Sequence, residues 1–400
     1  MSLLSHQVEA VEFLKNKKYA ILADTMGLGK SLSAIEASRD CSQLLIICPA
    51  YLKANWEREL KKWSFSKPYF ICSYEYASTE KVEIYFKSSS HVILDECHYI
   101  KSISANRTKA IHEYVKKYKP TNVYLLSGTP AKNRVPELYS LFMLVSYGNN
   151  EVKKLMSPYY NYWDFCDYFS WSETSTIAGR EVVKYSGHRN LDKLKEIMNS
   201  SYLRRLTMEV DLPSMRDILI PLDLDSTVPS TELFKEFIES GKPNKALATI
   251  KANNALEKAP HTAKFCKEIV EENQANQVVV FCDHVKSVKV IADILKVKYI
   301  TGETKLEDRD YLVQSFIRGD LPYLVTTIGT SSTGLNLTNA HVMVFNSLPW
   351  VSGDLEQAKK RTNRLGQKND CLYYYMIAGD VDELIFNTLN SKQRTLNEVL

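Results

Sequence analysis

The chain of 400 residues carries eight cysteines but no C-x-x-C pair. Without that spacing a structural zinc site has no framework, and scattered thiols suit a reducing compartment. Long hydrophobic runs are missing too. Stretches such as LLIIC (44–48) and QVVVF (277–281) are far too short to span a bilayer. The opening MSLLSHQVEAVEFLKNKKYA is polar and amphipathic, unlike a signal or transit peptide. These features predict a cytoplasmic protein with no membrane partner. Charge of one sign is also scarce. A net charge of +4 leaves no wholesale basic surface, so any polyanion would have to meet a local groove. Short-period repeats and low-complexity segments are absent.

What is present reads as a globular α/β chain, 44% hydrophobic and 24% charged. Its length exceeds one typical core, which predicts two domains. In the first half, YAILAD, QLLIICP, HVILDEC and NVYLLSG read as buried strands. Helical patterns alternate with them, as in KSLSAIEASR and YLKANWERELKKW. The second of these sets Leu52, Trp56, Leu60 and Trp63 on one face. The same texture restarts near residue 260 with QVVVFCD, KYIT, YLVTTIG, HVMVFNS and CLYYYMIAG. Such alternation predicts two parallel sheets covered by helices. Residues 135–258 interrupt it and are expected to hold helical insertions. The expected division is a first lobe over 1–215, a connection over 216–259 and a second lobe over 260–400.

Four stretches carry chemistry. ADTMGLGKSL (23–32) follows a strand with Gly-x-Gly-Lys-Ser, a pattern whose backbone N–H groups and helix N-terminus can cradle phosphate. Asp24 stands where the usual phosphate-loop pattern begins with glycine. Lys30 would pair with phosphates and Ser31 would reach Mg2+. VILDECH (92–98) ends a buried strand in Asp95 and Glu96, suited to holding a metal and polarising a water. LLSGTP (125–130) ends another strand in hydroxyl residues. QAKKRTNRLGQ (357–367) places Arg361 and Arg364 three apart, which predicts one shared helical face. Taken singly, each has a plain structural reading: a tight turn, solvated strand-end carboxylates, a loop and a basic surface helix. The run KSISANRTKAIHEYVKKYK (101–119) has six Lys/Arg against one Glu and reads equally as a solvated helix face.

In order along the chain, LLSHQVEAV, DTMGLGKS, CPAYLKANWEREL, DECH, LSGTP, VVVFCDH, TGLNLT and QAKKRTNRLGQ resemble the Swi/Snf-type ATPases of helicase superfamily two, and most closely the compact annealing or branch-migrating members. LRRLTMEVDLPSM (203–215) and YITGETKLEDRDYLVQSFIRGD (299–320) resemble further segments of that family. The resemblance implies two RecA-like lobes and the cofactors ATP and Mg2+. It implies that Gln7 reads adenine, that Gly27, Gly29, Lys30 and Ser31 hold phosphate and metal, and that Asp95 and Glu96 serve metal and water. Gln357, Arg361 and Arg364 would close from the second lobe. Ser127, Thr129 and Gly334 would couple the nucleotide to DNA. The expected partner is duplex, forked or branched DNA, gripped by its backbone with little sequence preference. Candidate contacts are Lys53, Asn106, Arg107, Lys109, His284, Thr330 and Ser331. The chain departs from the family at Cys97, Lys359, Lys360 and Asn363. An RNA helicase and an ATP-switched clamp that does not move are the alternatives. A phage or bacterial source is expected, with one chain sufficient to build the site. The aromatic run YYNYWDFCDYFSW (159–171) reads as a small core, with stacking on unpaired bases as the alternative.

Overall fold

The computed structural model describes residues 3–25, 27–131, 134–177, 180–205, 212–224, 245–331, 337–364 and 366–399. The chain divides into two compact units, one of residues 1–210 with 394–400 and the other of residues 211–393.

The first unit contains β1 (Tyr19–Leu22), β2 (Leu44–Cys48), β3 (Tyr69–Ser73), β4 (His91–Asp95) and β5 (Asn122–Leu126), a hairpin of β6 (Trp171–Ile177) and β7 (Arg180–Ser186), and β8 (Tyr202–Leu203). All but the hairpin form one sheet in the order β3-β2-β4-β5-β1-β8, with every pairing parallel. Continuous apolar strands such as LLIIC make sense only in a sheet covered on both faces. Alternate residues accordingly enter two cores. Ala20, Leu22, Leu44 and Ile46 pack with Ala10, Leu14, Ile35, Trp56 and Leu60. Ile21, Leu45, Ile47 and Val92 pack with Ile111, Phe142, Phe165 and Phe169.

The second unit contains β9 (Met215–Pro221), β10 (Val278–Cys282), β11 (Tyr299–Ile300), β12 (Tyr323–Thr327), β13 (Val342–Phe345) and β14 (Cys371–Ile377). They form a second sheet in the order β11-β12-β10-β13-β14-β9, again parallel throughout. The α/β class with two parallel sheets is therefore as expected. Among the described residues no helix is long and apolar enough to cross a membrane.

Two expectations are corrected. The insertion is not purely helical, because helix Tyr162–Phe169 is followed by the antiparallel hairpin β6–β7. Its strands, WSETSTI and REVVKYS, are mostly polar and show no regular apolar alternation, so their sequence signal is weak. The linker or helical connection expected over 216–259 also holds a strand. Residues 215–221 pair with β14 as an edge strand, and a helix runs from Lys245 to Glu271. Both belong to the second unit because each adds hydrogen bonds or apolar contacts to its sheet.

That long helix buries charge. Lys258 and Asp382 are 1% and 2% exposed and lie 2.5 Å apart; the ammonium also donates to the Met376 carbonyl at 2.9 Å. Removing one partner of such a pair strands the other in low dielectric. Lys258→Ala is expected to destabilise the second unit by about 3–5 kcal/mol, whereas Lys258→Met combined with Asp382→Leu should recover most of it. Urea unfolding of the three proteins measures this; an unmoved midpoint for the single variant would contradict the account.

Candidate active site

Topology gathers the first unit's candidates. β4, β5 and β1 are neighbours in the sheet, with Asp95 opposite Leu126 and Leu126 opposite Leu22. The residues just beyond these strands therefore emerge at one edge, the carboxyl end, where parallel sheets hold ligands. They are the glycine loop after β1, Asp95 and Glu96 at β4, and Ser127 and Thr129 after β5.

The two acids are held differently. Asp95 Oδ2 accepts from the Trp56 indole at 2.8 Å, and Oδ1 accepts from the Glu96 N–H at 3.0 Å. The Tyr74 hydroxyl donates to the Asp95 carbonyl at 2.8 Å. Burial, and then the adjacent Glu96 carboxylate, push Asp95 up to about 7; the Trp56 bond, the Lys30 ammonium and the Glu96 N–H pull the other way. Glu96 takes the left-handed backbone conformation, φ 52° and ψ 53°, which costs an L residue on the order of 1–2 kcal/mol. The turn swings its side chain off the strand line. Ser127 Oγ then donates to Glu96 Oε2 at 3.4 Å, and His98 Nδ1 lies 3.2 Å from the same oxygen. The Thr129 N–H donates to Ser127 Oγ at 3.1 Å. Glu96, Ser127 and Thr129 are thus brought together. His98 joins them unpredicted, its only sequence signal being the last letter of DECH.

The glycine loop is packed from above by the first helix, Ser5–Lys17. Gly27 and Gly29 have φ of 91° and 81°, and a Cβ on Gly29 would lie 2.3 Å from Gln7 Nε2. Gln7 is buried, and its Nε2 reaches the Leu28 carbonyl at 3.4 Å. Lys30 begins helix Lys30–Ala37, and its ammonium donates to the Asp24 carbonyl at 2.7 Å. Ser31, half-buried, follows in the first turn. The irregular Asp24 has a partner that sequence reading missed. Arg205, just after β8, donates to Oδ1 through Nε at 3.0 Å and to Oδ2 through Nη2 at 2.5 Å. Its Nη1 also reaches Glu9 at 2.9 Å.

In the second unit one expectation fails. Helix Ser352–Lys359 stops before the arginines. Arg361 and Arg364 lie in the turns that follow, so they share no helical face. The Arg361 carbonyl accepts from the Leu337 N–H at 3.0 Å, so the chain folds toward the sheet instead of continuing the helix. Gln357 and Arg361 are buried and Arg364 is half-buried.

The expected nucleic-acid contacts are scattered. Lys53 starts helix Lys53–Lys62, exposed. Asn106 and Lys109 are exposed on helix Asn106–Tyr118. Arg107 donates through Nε to the Tyr99 carbonyl at 2.8 Å and lies over the Tyr99 ring. His284 and Thr330 follow the neighbouring strands β10 and β12 at their carboxyl ends. The side chain of Ser331 and the whole of Gly334 lie outside the described residues. The aromatic run divides: Phe165 and Phe169 are core, while Tyr160, Trp163, Tyr168 and Trp171 are exposed.

A glycine loop, a strand-end Asp-Glu pair and a second parallel sheet place this protein in the phosphate-loop class of two-unit α/β proteins. The chain belongs to the SNF2-related family: it matches the SNF2-related domain over residues 6–277 and the Helicase conserved C-terminal domain over 261–366. It is 27% identical over 448 residues to the human DNA annealing helicase and endonuclease ZRANB3, covering 100% of this chain and 40% of that protein. It is also 27% identical over 448 residues to the SWI/SNF-related matrix-associated actin-dependent regulator of chromatin subfamily A-like protein 1 homolog of Caenorhabditis elegans, covering 99% of this chain and 62% of that protein. The chain thus spans from two fifths to three fifths of these relatives. Among solved structures, the Sulfolobus solfataricus SWI2/SNF2 ATPase core in complex with dsDNA is similar at 20% identity and a TM-score of 0.45, covering 100% of this chain and 93% of that one.

The raised Asp95 carboxyl gives a sign for pH. Folded protein holds this proton more tightly than unfolded chain, so stability falls as pH rises from the ordinary 3.8 toward about 7. Trp56→Phe removes a bond that favours the charged form. The Asp95 midpoint should move further up, read from its carboxylate infrared band; a downward move would contradict the assignment.

Proposed function

We propose that this protein is an ATP-driven motor on duplex or branched DNA, working by branch migration, fork remodelling or strand reannealing. The observation that carries the reading is the convergence of Lys30, Asp95, Glu96 and Ser127 at one sheet edge, on adjacent strands. Membership of the SNF2-related family and likeness to an annealing helicase support it.

The residues fit nucleotide and metal. Gly27 and Gly29 hold the positive φ that lets backbone N–H groups face a phosphate. Lys30 leaves the Asp24 carbonyl to meet the β and γ phosphates. The Ser31 hydroxyl and Asp95 carboxylate are hard oxygen donors suited to Mg2+, which when bound neutralises phosphate charge. Glu96, kept in place by Ser127 and His98, orients the attacking water. Gln7, above the loop, faces the adenine side. From the second unit Gln357, Arg361 and Arg364 complete the charge neutralisation, a contribution of about 10³–10⁵ in rate. Ser127 and Thr129, bonded to each other, pass the change at Glu96 toward the DNA grip. That grip uses Lys53, Asn106, Arg107 and Lys109 on one unit, and His284, Thr330 and Ser331 on the other.

Lys30→Ala is expected to lower DNA-stimulated phosphate release by about 10²-fold or more, with duplex affinity by anisotropy retained. Hydrolysis at the parental rate would overturn the reading. Because Asp95 must be charged to bind metal, the Mg2+ concentration for half-maximal activity should rise as pH falls below about 7. Duplex affinity should drop with salt by a log–log slope of about 0.9 per phosphate contacted.

A further inference from the structure

The second unit's arginine turn is bracketed by two residues that depart from the family's pattern, Lys359 and Asn363. Both reach residues of the segment 213–217. The Lys359 side chain is 8% exposed. Its ammonium lies 2.9 Å from both carboxylate oxygens of Asp217 on β9 and 3.4 Å from Glu356 Oε1. It also faces the rings of Tyr373 and Tyr375 at 5.5 and 5.8 Å. The Tyr375 hydroxyl donates to Asp217 Oδ1 at 2.7 Å, fixing the carboxylate from its other side. Four residues on, Asn363 Nδ2 donates to the Pro213 carbonyl at 2.8 Å. Pro213 and Asp217 belong to the segment that enters the second unit from the first.

β9 contributes little core. Its seven side chains are exposed or half-buried, although it pairs with β14 along its whole length. An edge strand that only capped the sheet would need neither contact. Here the two contacts fall on either side of Arg361. The turn between them is tightened further: Gln367 Nε2 donates to the Thr362 carbonyl at 3.2 Å and to the Ala340 carbonyl at 2.9 Å.

We infer that Asp217 and the Pro213 carbonyl are positioning groups for the arginine turn, holding Lys359 and Asn363 so that Arg361 and Arg364 are presented in one orientation. This rests on the reading above, in which those arginines meet the nucleotide. It adds a role for the connecting segment. Upstream, the same segment supplies Arg205, bonded to Asp24 of the glycine loop within the first unit. Each contact is made within its own unit, Arg205 to the glycine loop of the first and Asp217 to the arginine turn of the second.

Asp217→Asn, Asp217→Glu, Asn363→Ala and the Asp217→Asn/Asn363→Ala pair test this in the full chain. For Asp217→Asn, kcat of DNA-stimulated ATP hydrolysis is expected to fall about tenfold or more, because small misplacements of a catalytic group are costly. KM for ATP should stay within about twofold, since the lost interaction acts in the transition state. Asp217→Glu should restore most of kcat, and the double variant should fall below either single one. Unchanged kcat in Asp217→Asn overturns the proposal. So does a kcat loss that merely follows the loss of folded protein by thermal melting and is not restored by Glu. The parent and Lys30→Ala are run alongside. A parent without DNA-stimulated hydrolysis, or a Lys30→Ala variant as active as the parent, locates the failure in the functional reading, and the positioning role falls with it.

Discussion

Two carboxylates side by side at the end of a buried strand repel each other and lack water to spread their charge. The local structure of the first unit is organised around that problem. Trp56, in the core and 1% exposed, spends its one polar atom on Asp95. The left-handed turn at Glu96 sends the second carboxyl toward Ser127 and His98, away from the first. Lys30 adds positive charge from the neighbouring loop. None of these cancels the burial, and Asp95 stays pushed up to about 7. A group held in that state gains from an arriving cation, which supplies the charge the protein withholds.

The glycine loop meets a related constraint. An acidic residue at the first position of a turn proposed to hold phosphate would put negative charge beside that anion. Arg205 removes the conflict by binding both Asp24 oxygens in a buried fork, a geometry that lysine could not supply. Because Arg205 also reaches Glu9 and the His6 carbonyl, the first helix, the loop and the end of β8 form one bonded group. Gln7 is positioned over Gly29 within it. The requirement for glycine at position 29 is thus set twice, by the positive φ and by the amide above it.

The central strands were legible because a parallel sheet buries both faces, and continuous apolar runs announce that. The strand-end motifs were legible because their chemistry depends on residues adjacent in sequence. What escaped reading depends on distant partners. Arg205 and Asp24 stand far apart in the chain, and nothing in LRR shows which arginine turns inward. Trp56 reads as core from its helical spacing, and it is core; its bond to Asp95 needs β4 beside β2. Edge strand β9 escapes the pattern because it buries little, and the hairpin β6–β7 because its residues do not alternate apolar with polar; hydrophobic period is then a weak guide. The arginine helix was read too long because three-residue spacing fits a helix and a tight turn alike.

The two units place their internal charges differently. At its candidate site the first unit gathers carboxylates and hydroxyls around one lysine. The second unit holds three lysines inside the fold, each against an acid: Lys251 against Asp283, Lys258 against Asp382 and Lys359 against Asp217. A buried lysine needs a fixed acid, and each acid here stands at the end of a strand, on a strand or at a helix start. Placing cations this way lets a fold present arginine beyond them without a loose basic surface.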